Sequence, residues 1–200
     1  MRCRRVAVTA SLLVFGLAAS ASSQQAPGWQ IRTRGLLIAP IASSTPKALD
    51  VKANAVAEID ITKYVGKQFA FELVLGTSSQ EVTSTTGSTT TSLGMVSHLP
   101  PTLTFQFRPV TSGQFPPYLG VGGNLTIFYI KTGALKALDL TTSVGPAFQA
   151  GFDVPLGGST FFNLDVKYVG IATDVKSGNT KAFDLKINPL LIGLGVGVRL

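Results

Sequence analysis

Apolar side chains recur at every second position over long stretches of this chain, with polar or small residues between them. Ala57, Ile59 and Ile61 interleave with Glu58 and Asp60, while Phe69, Phe71, Leu73 and Leu75 enclose Glu72. Leu119, Val121, Leu125, Ile127 and Tyr129 keep one parity through a single segment, and the last nine residues alternate from Ile192 to Leu200 with Gly193, Gly195, Gly197 and Arg199 between. A period of two marks strands with unlike faces. Followed along the chain, it predicts eight strands at 29–39, 55–64, 69–79, 97–108, 117–130, 144–154, 161–172 and 185–200. The connections near 65–68, 109–116 and 155–160 are short and carry Gly or Pro; those near 40–54, 80–96, 131–143 and 173–184 are longer and rich in Ser, Thr, Gly and Lys. No segment carries a sustained 3.6 period, although Ala134–Leu138 has room for one helical turn. The low-complexity run Thr83–Ser92 reads as a mobile external loop.

The two parities differ in chemistry. One also gathers Leu103, Phe105, Phe107, Phe148, Phe162 and Leu164; the other gathers Arg108, Gln149, Asp153, Asp165, Lys167 and Arg199. A charge facing lipid at the bilayer midplane costs about 2–4 kcal/mol, so in a membrane barrel the charged parity must face the lumen. A soluble ligand-binding barrel would reverse the faces, burying carboxylates around the ligand and exposing a band of Phe and Leu to water. The expected fold is therefore all-β, an eight-stranded antiparallel transmembrane β-barrel with short periplasmic turns and long external loops.

The N-terminus agrees with export. Arg2, Arg4 and Arg5 precede the apolar stretch Val6–Ala18 and the small residues Ala19-Ser20-Ala21, which together read as a signal peptide. The expected domains are a leader at 1–21 and one barrel at 22–200. Cys3, the only cysteine, falls inside the leader, so disulfides and thiol chemistry are excluded from the mature chain. Without the three leader arginines, 14 of the 17 basic residues remain against 10 acidic ones, a scattered net charge of +4. No basic cluster suits nucleic acid. His98 is the only histidine and has no serine or carboxylate constellation around it in sequence, so it reads as structural; neither an enzyme, a metal site nor a cofactor is expected. The glycines at 120, 122 and 123 precede no helix and read as lumen or curvature glycines, not as a phosphate loop. Trp29, Tyr118, Tyr129 and Tyr168 lie where interfacial anchors are expected.

Chain direction divides the lumen. With a periplasmic N-terminus, Arg32 and Arg34 lie low on the first strand and Leu36 and Ile38 high; Glu72 lies below Val74, Asp165 and Lys167 below Val169, and Phe128 with Ile130 near the outer end of the fifth strand. This predicts an ionic layer of Arg34, Glu72, Asp153, Asp165 and Lys167 beneath an apolar passage lined by Leu36, Ile38, Val74, Phe128 and Val169. An eight-stranded barrel has little more interior than its side chains fill, so an open aqueous pore is not expected.

His98-Leu99-Pro100-Pro101-Thr102-Leu103, the segment Pro117–Asn124, the segment Gly145–Asp153 and the ending Ile187–Leu200 resemble, in order, the outer membrane protein W family, which includes outer-membrane proteins that assist alkane uptake. The resemblance implies an eight-stranded bacterial outer-membrane barrel with a narrow hydrophobic channel for small hydrophobic solutes. It further implies lipid, lipopolysaccharide and the outer-membrane assembly machinery as partners of a monomer. The second reading is a structural or adhesion barrel whose external loops bind partners. Val74 matches the family's channel-lining position, and Lys167 stands where a constriction residue is often aromatic. The family usually ends in Phe, where this chain has Leu200, and its third loop is usually longer.

Overall fold

The computed structural model describes residues 28–200 except 40, 42, 46–48, 52–53, 87, 138 and 179; the leader expected at 1–21 lies outside the described residues. Eight of the described strands form a ring: β1 (Trp29–Ala39), β2 (Asn54–Tyr64), β3 (Phe69–Gly76), β4 (Thr102–Phe107), β5 (Pro117–Lys131), β6 (Ser143–Gly157), β7 (Thr160–Val169) and β8 (Leu190–Arg199). Each pairs antiparallel with its neighbour in sequence. The register Gln30↔Arg199 through Ala39↔Leu190 closes β8 onto β1. Closure leaves the ring without an edge, which a hydrocarbon environment demands because nothing there pairs an orphan N–H or C=O.

The faces follow the alternation. Arg32, Arg34 and Lys167 are among the largest fully buried side chains, whereas Leu103 and Leu119 are 54% and 58% exposed. Such an inside-out distribution is untenable in water and stable in lipid. On the outer face Phe69, Phe71, Phe105 and Phe107 form a connected aromatic patch with centroids 5.3–5.5 Å apart. The glycines of β8 serve the inner face. A Cβ at Gly197 would stand 2.6 Å from Arg32 Cγ, and one at Gly195 equally close to Arg34 Cγ. The arginine stems can lie against β8 only because these positions have no side chain.

Short turns collect at one end, where Val65 N–H donates to Phe69 O at 2.8 Å and Leu200 N–H to Trp29 O at 2.9 Å. At the other end the long connections build β-structure of their own. Ser78–Thr86 pairs with Thr89–Leu99, and Asp139–Leu140, Ala172–Ser177, Thr180–Lys186 and Ser43–Thr45 form a four-stranded sheet. The run Thr83–Ser92, expected as a loop, is thus largely hairpin: Thr and Ser are good strand residues once a partner is supplied across the turn. Gly133–Ala137 makes a 3₁₀ turn, one residue from the expected site.

Four predicted strands are divided, the seventh at Gly170 and Ile171. The third ends at Gly76 and the hairpin begins at Ser78. The fourth is split at Pro100-Pro101, which lack ladder donors, so His98 belongs to the hairpin and not to β4. The eighth is split at Ile187–Pro189, where Asn188 takes a positive φ of 39°. Tyr118 is another correction. It shares its parity with the charged set, is fully buried, and so is no interfacial anchor; its ring turns into the lumen, where its hydroxyl finds partners on β7. Trp29 and Tyr129 do face outward.

Candidate functional site

The lower lumen is filled by a continuous ionic network. β1 contributes the two arginines, whose cross-strand partners on β2 are carboxylates: Arg32 is opposite Asp60 and Arg34 opposite Glu58. Arg32 Nε donates to Asp60 Oδ1 at 2.8 Å, and Arg32 also pairs with Glu72. Arg34 reaches Glu58 at 2.6 Å, Asp60 at 3.0 Å, Glu72 at 3.1 Å and Asp165 at 3.6 Å. Lys167 stands on the same layer, its Nζ 3.6 Å from Glu72 and 3.9 Å from Asp165. Asp153 lies at the periplasmic side of the network, where it accepts from Arg108 at 2.7 Å and from Asn163 at 2.8 Å, with Arg32 3.7 Å away. The five residues expected as an ionic layer are therefore brought together, Asp153 by way of Arg32 and Asn163.

Neutral groups finish the network. Tyr118 donates to Asp165 at 2.7 Å and accepts from Asn163 at 3.0 Å, and Gln149 donates to Thr104 at 3.0 Å. These were absent from the expected layer, although Asn163 and Thr104 share the parity of Asp165 and Gln106 and were legible by it. Burying charge is tolerable only when each is paired and its remaining donors and acceptors are met. Here the paired charges fill the lower lumen, although several atoms of the network, among them Arg32 Nη1, Asp60 Oδ2 and Lys167 Nζ, have no hydrogen-bond partner.

Immediately above lies a cavity of about 50 Å³. Its walls include Leu36, Ile38, Val74 and Val169, four of the five residues expected to line the passage, with Glu58 and Lys167 at the floor. Phe128 is set apart. It is half-buried and borders a second cavity of about 10 Å³ together with Val82, Val96 and His98; the His98 ring lies 5.9 Å from it. Ile130, expected beside it in the lumen, is exposed, beyond a register shift between Ser97 and His98 where the hairpin meets β5.

The roof of the larger cavity comes from outside the barrel strands. Ile171 and Ile187 line it and join Val169, Val175 and Leu185 in a buried apolar cluster. Both fall on the lumen parity of the strands expected at 161–172 and 185–200, but Gly170 and the Asn188 turn interrupt those strands, so the two side chains belong to the segments above the barrel. The wall has a thin place as well. The ladder between β2 and β3 ends at Glu58↔Gly76, although β2 stays paired with β1 as far as Asn54. Ala57, Gly76 and Thr77 line the cavity beside this point, and Ala57 faces outward.

Among the described residues no group of three or more His, Cys, Asp or Glu is arranged to hold a metal ion.

Comparison with known proteins places this barrel. The structure of the outer membrane protein OprG from Pseudomonas aeruginosa superposes with a TM-score of 0.74 at 24% identity, over 87% of this chain and 96% of that one. In sequence the chain is 34% identical over 182 residues to an uncharacterized outer-membrane protein, y4mB, of Sinorhizobium fredii, covering 86% of this chain and 79% of its relative. It is 26% identical over 156 residues to the dibenzothiophene metabolism operon protein PahQ of Pseudomonas aeruginosa, covering 74% and 72%. The family model of the OmpW family matches residues 33–200; with its closed ring of eight strands and its lipid-facing belt, this chain is an outer-membrane barrel belonging to the OmpW family.

Proposed function

We propose that the barrel admits small hydrophobic molecules from outside into the upper lumen and releases them sideways into the membrane. The observation that carries this reading is the apolar cavity lined by Leu36, Ile38, Val74 and Val169 directly above a lumen closed by ion pairs. A solute that reaches it cannot continue downward without displacing charges from their partners. The thin place beside Ala57 and Gly76 offers the shorter route, because pairing across the wall lapses between Glu58↔Gly76 and Val51↔Val82. At about 50 Å³ the cavity accepts a few-atom segment, so a longer molecule moves through by shifting the apolar roof of Ile171 and Ile187. The relative whose name ties it to dibenzothiophene metabolism supports an apolar cargo, that compound being a fused aromatic.

The test is Val74→Asp. A carboxylate at this wall demands water in an apolar chamber, so uptake of a small hydrocarbon into proteoliposomes or cells should fall at least tenfold while the barrel still folds. Unchanged uptake by the folded variant would leave the upper lumen as packing and favour the structural or adhesion reading.

A further inference from the structure

Besides Ser78 Oγ, two polar atoms lining the cavity lack hydrogen-bond partners, both at its floor: Lys167 Nζ and Glu58 Oε1. They lie 3.5 Å apart on side chains whose residues are 2% and 5% exposed. The other carboxylates near Nζ, Glu72 at 3.6 Å and Asp165 at 3.9 Å, are within ion-pair range but beyond hydrogen-bond length. Arg34 Nε approaches Glu58 Oε1 at 2.6 Å but outside hydrogen-bonding angles. An ammonium has three protons to give and a carboxylate oxygen two lone pairs. The apolar chamber therefore rests on one donor and one acceptor, side by side.

That pair discriminates between head groups. A hydroxyl satisfies both atoms, its oxygen accepting from Lys167 and its proton going to Glu58. A plain hydrocarbon satisfies neither and seals them from water, which is costly. Net charge sorts the rest. Arg32, Arg34, Arg108, Lys167 and Arg199 face Glu58, Asp60, Glu72, Asp153 and Asp165, five cations against five anions among the described residues. An incoming carboxylate would add an uncompensated charge beside Glu58, and an incoming ammonium one beside Lys167.

We propose that this barrel selects small neutral molecules bearing a terminal hydroxyl, an alkanol being the simplest. The head is held between Lys167 and Glu58, and the tail lies against Leu36, Val74 and Val169 and leaves toward lipid past Ala57 and Gly76. This rests on the hydrophobic-uptake reading and names its substrate class.

The experiment uses the full barrel with methyl-labelled valines in lipid nanodiscs, titrated with 1-octanol, n-octane and octanoate. Val74 and Val169 methyl shifts report the cavity itself, apart from bulk partitioning into lipid. Both resonances should saturate at about tenfold lower 1-octanol than n-octane, one hydrogen bond to a charged group being worth that much. Octanoate should bind more weakly than 1-octanol. Lys167→Met should bring 1-octanol and n-octane to the same midpoint, with heat-modifiable gel migration confirming a folded barrel. If that variant does not fold, the ranking in the unmodified protein decides alone. Equal midpoints for 1-octanol and n-octane in the unmodified protein would overturn hydroxyl selection and leave hydrophobic uptake standing. Tightest binding by octanoate would overturn the neutral head. Absence of shifts with all three would remove the uptake reading itself.

Discussion

The lower and upper halves of the lumen are lined by the same strands with the same alternation, yet one is closed and the other hollow. Below, Arg32 and Arg34 stand directly across from Asp60 and Glu58, and long flexible stems let each charged tip reach several partners. Above, Leu36 stands across from Val56, and Val74 from Thr102. Branched aliphatic side chains are short and rigid and have no directed attraction across the lumen, so they line the wall without filling the axis. Parity decides which residues enter the barrel; reach and complementarity decide whether they seal it.

The largest expected effect comes from breaking the closed half. Arg34→Met leaves Glu58, Asp60 and Glu72 short of a cation inside the barrel, and should cost about 3–5 kcal/mol of stability, the usual penalty for orphaning a buried charge. Urea unfolding of the barrel in detergent or liposomes measures it. The wall common to both halves comes next: Leu73, between Glu72 and Val74, faces lipid, and Leu73→Arg should cost about 2–4 kcal/mol at the bilayer midplane and impair assembly. Val74→Ala should cost only about 1–2 kcal/mol, the transfer of the lost methyl groups, because it enlarges an existing cavity. Equal losses for Arg34→Met and Val74→Ala would erase the distinction between the halves.

The smallest effect lies outside the membrane, where ion pairs meet water. Lys181 contacts Asp174 at 2.9 Å and Asp184 at 2.6 Å, with all three side chains more than 40% exposed. The Lys181 hydrogen bond holds the Asp174 carboxyl below its ordinary pKa. A depressed carboxylate stabilises above its unfolded pKa, and that contribution fades as the pH falls through the lowered folded value. Exposure to solvent makes the contribution slight. Lys181→Ala should therefore return the Asp174 titration, followed by NMR, toward the ordinary carboxylate range without a measurable change in unfolding midpoint. A marked loss of stability would show that the external pairs resemble the buried ones.

Much of this is legible in the sequence. The alternation of Phe69 through Leu75 around Glu72, repeated over eight segments, is enough to give a barrel with a lipid face and a charged lumen, because a one-residue slip would place every charge in lipid. The relative heights of Glu72 and Val74, or of Lys167 and Val169, follow from strand direction alone. Tyr118 is legible too, from the outward Leu119 beside it, although aromatic character by itself points to an interface. His98 and Phe128 were harder, since a proline pair detaches the first from β4 and a register shift beyond the second turns Ile130 outward.

What the sequence determined by itself, then, is everything governed by a period of two: the strands, their faces, and the order of ionic and apolar levels. The tertiary structure alone decided how those levels meet across the lumen. Ile171 and Ile187 roof the cavity only because segments on either side of one external hairpin fold back together, the β2–β3 ladder stops short at Gly76, and Lys167 ends with its ammonium beside Glu58 and no hydrogen-bond partner. Such features depend on distances between strands far apart in the chain, and a local pattern of polarity carries direction but no distance.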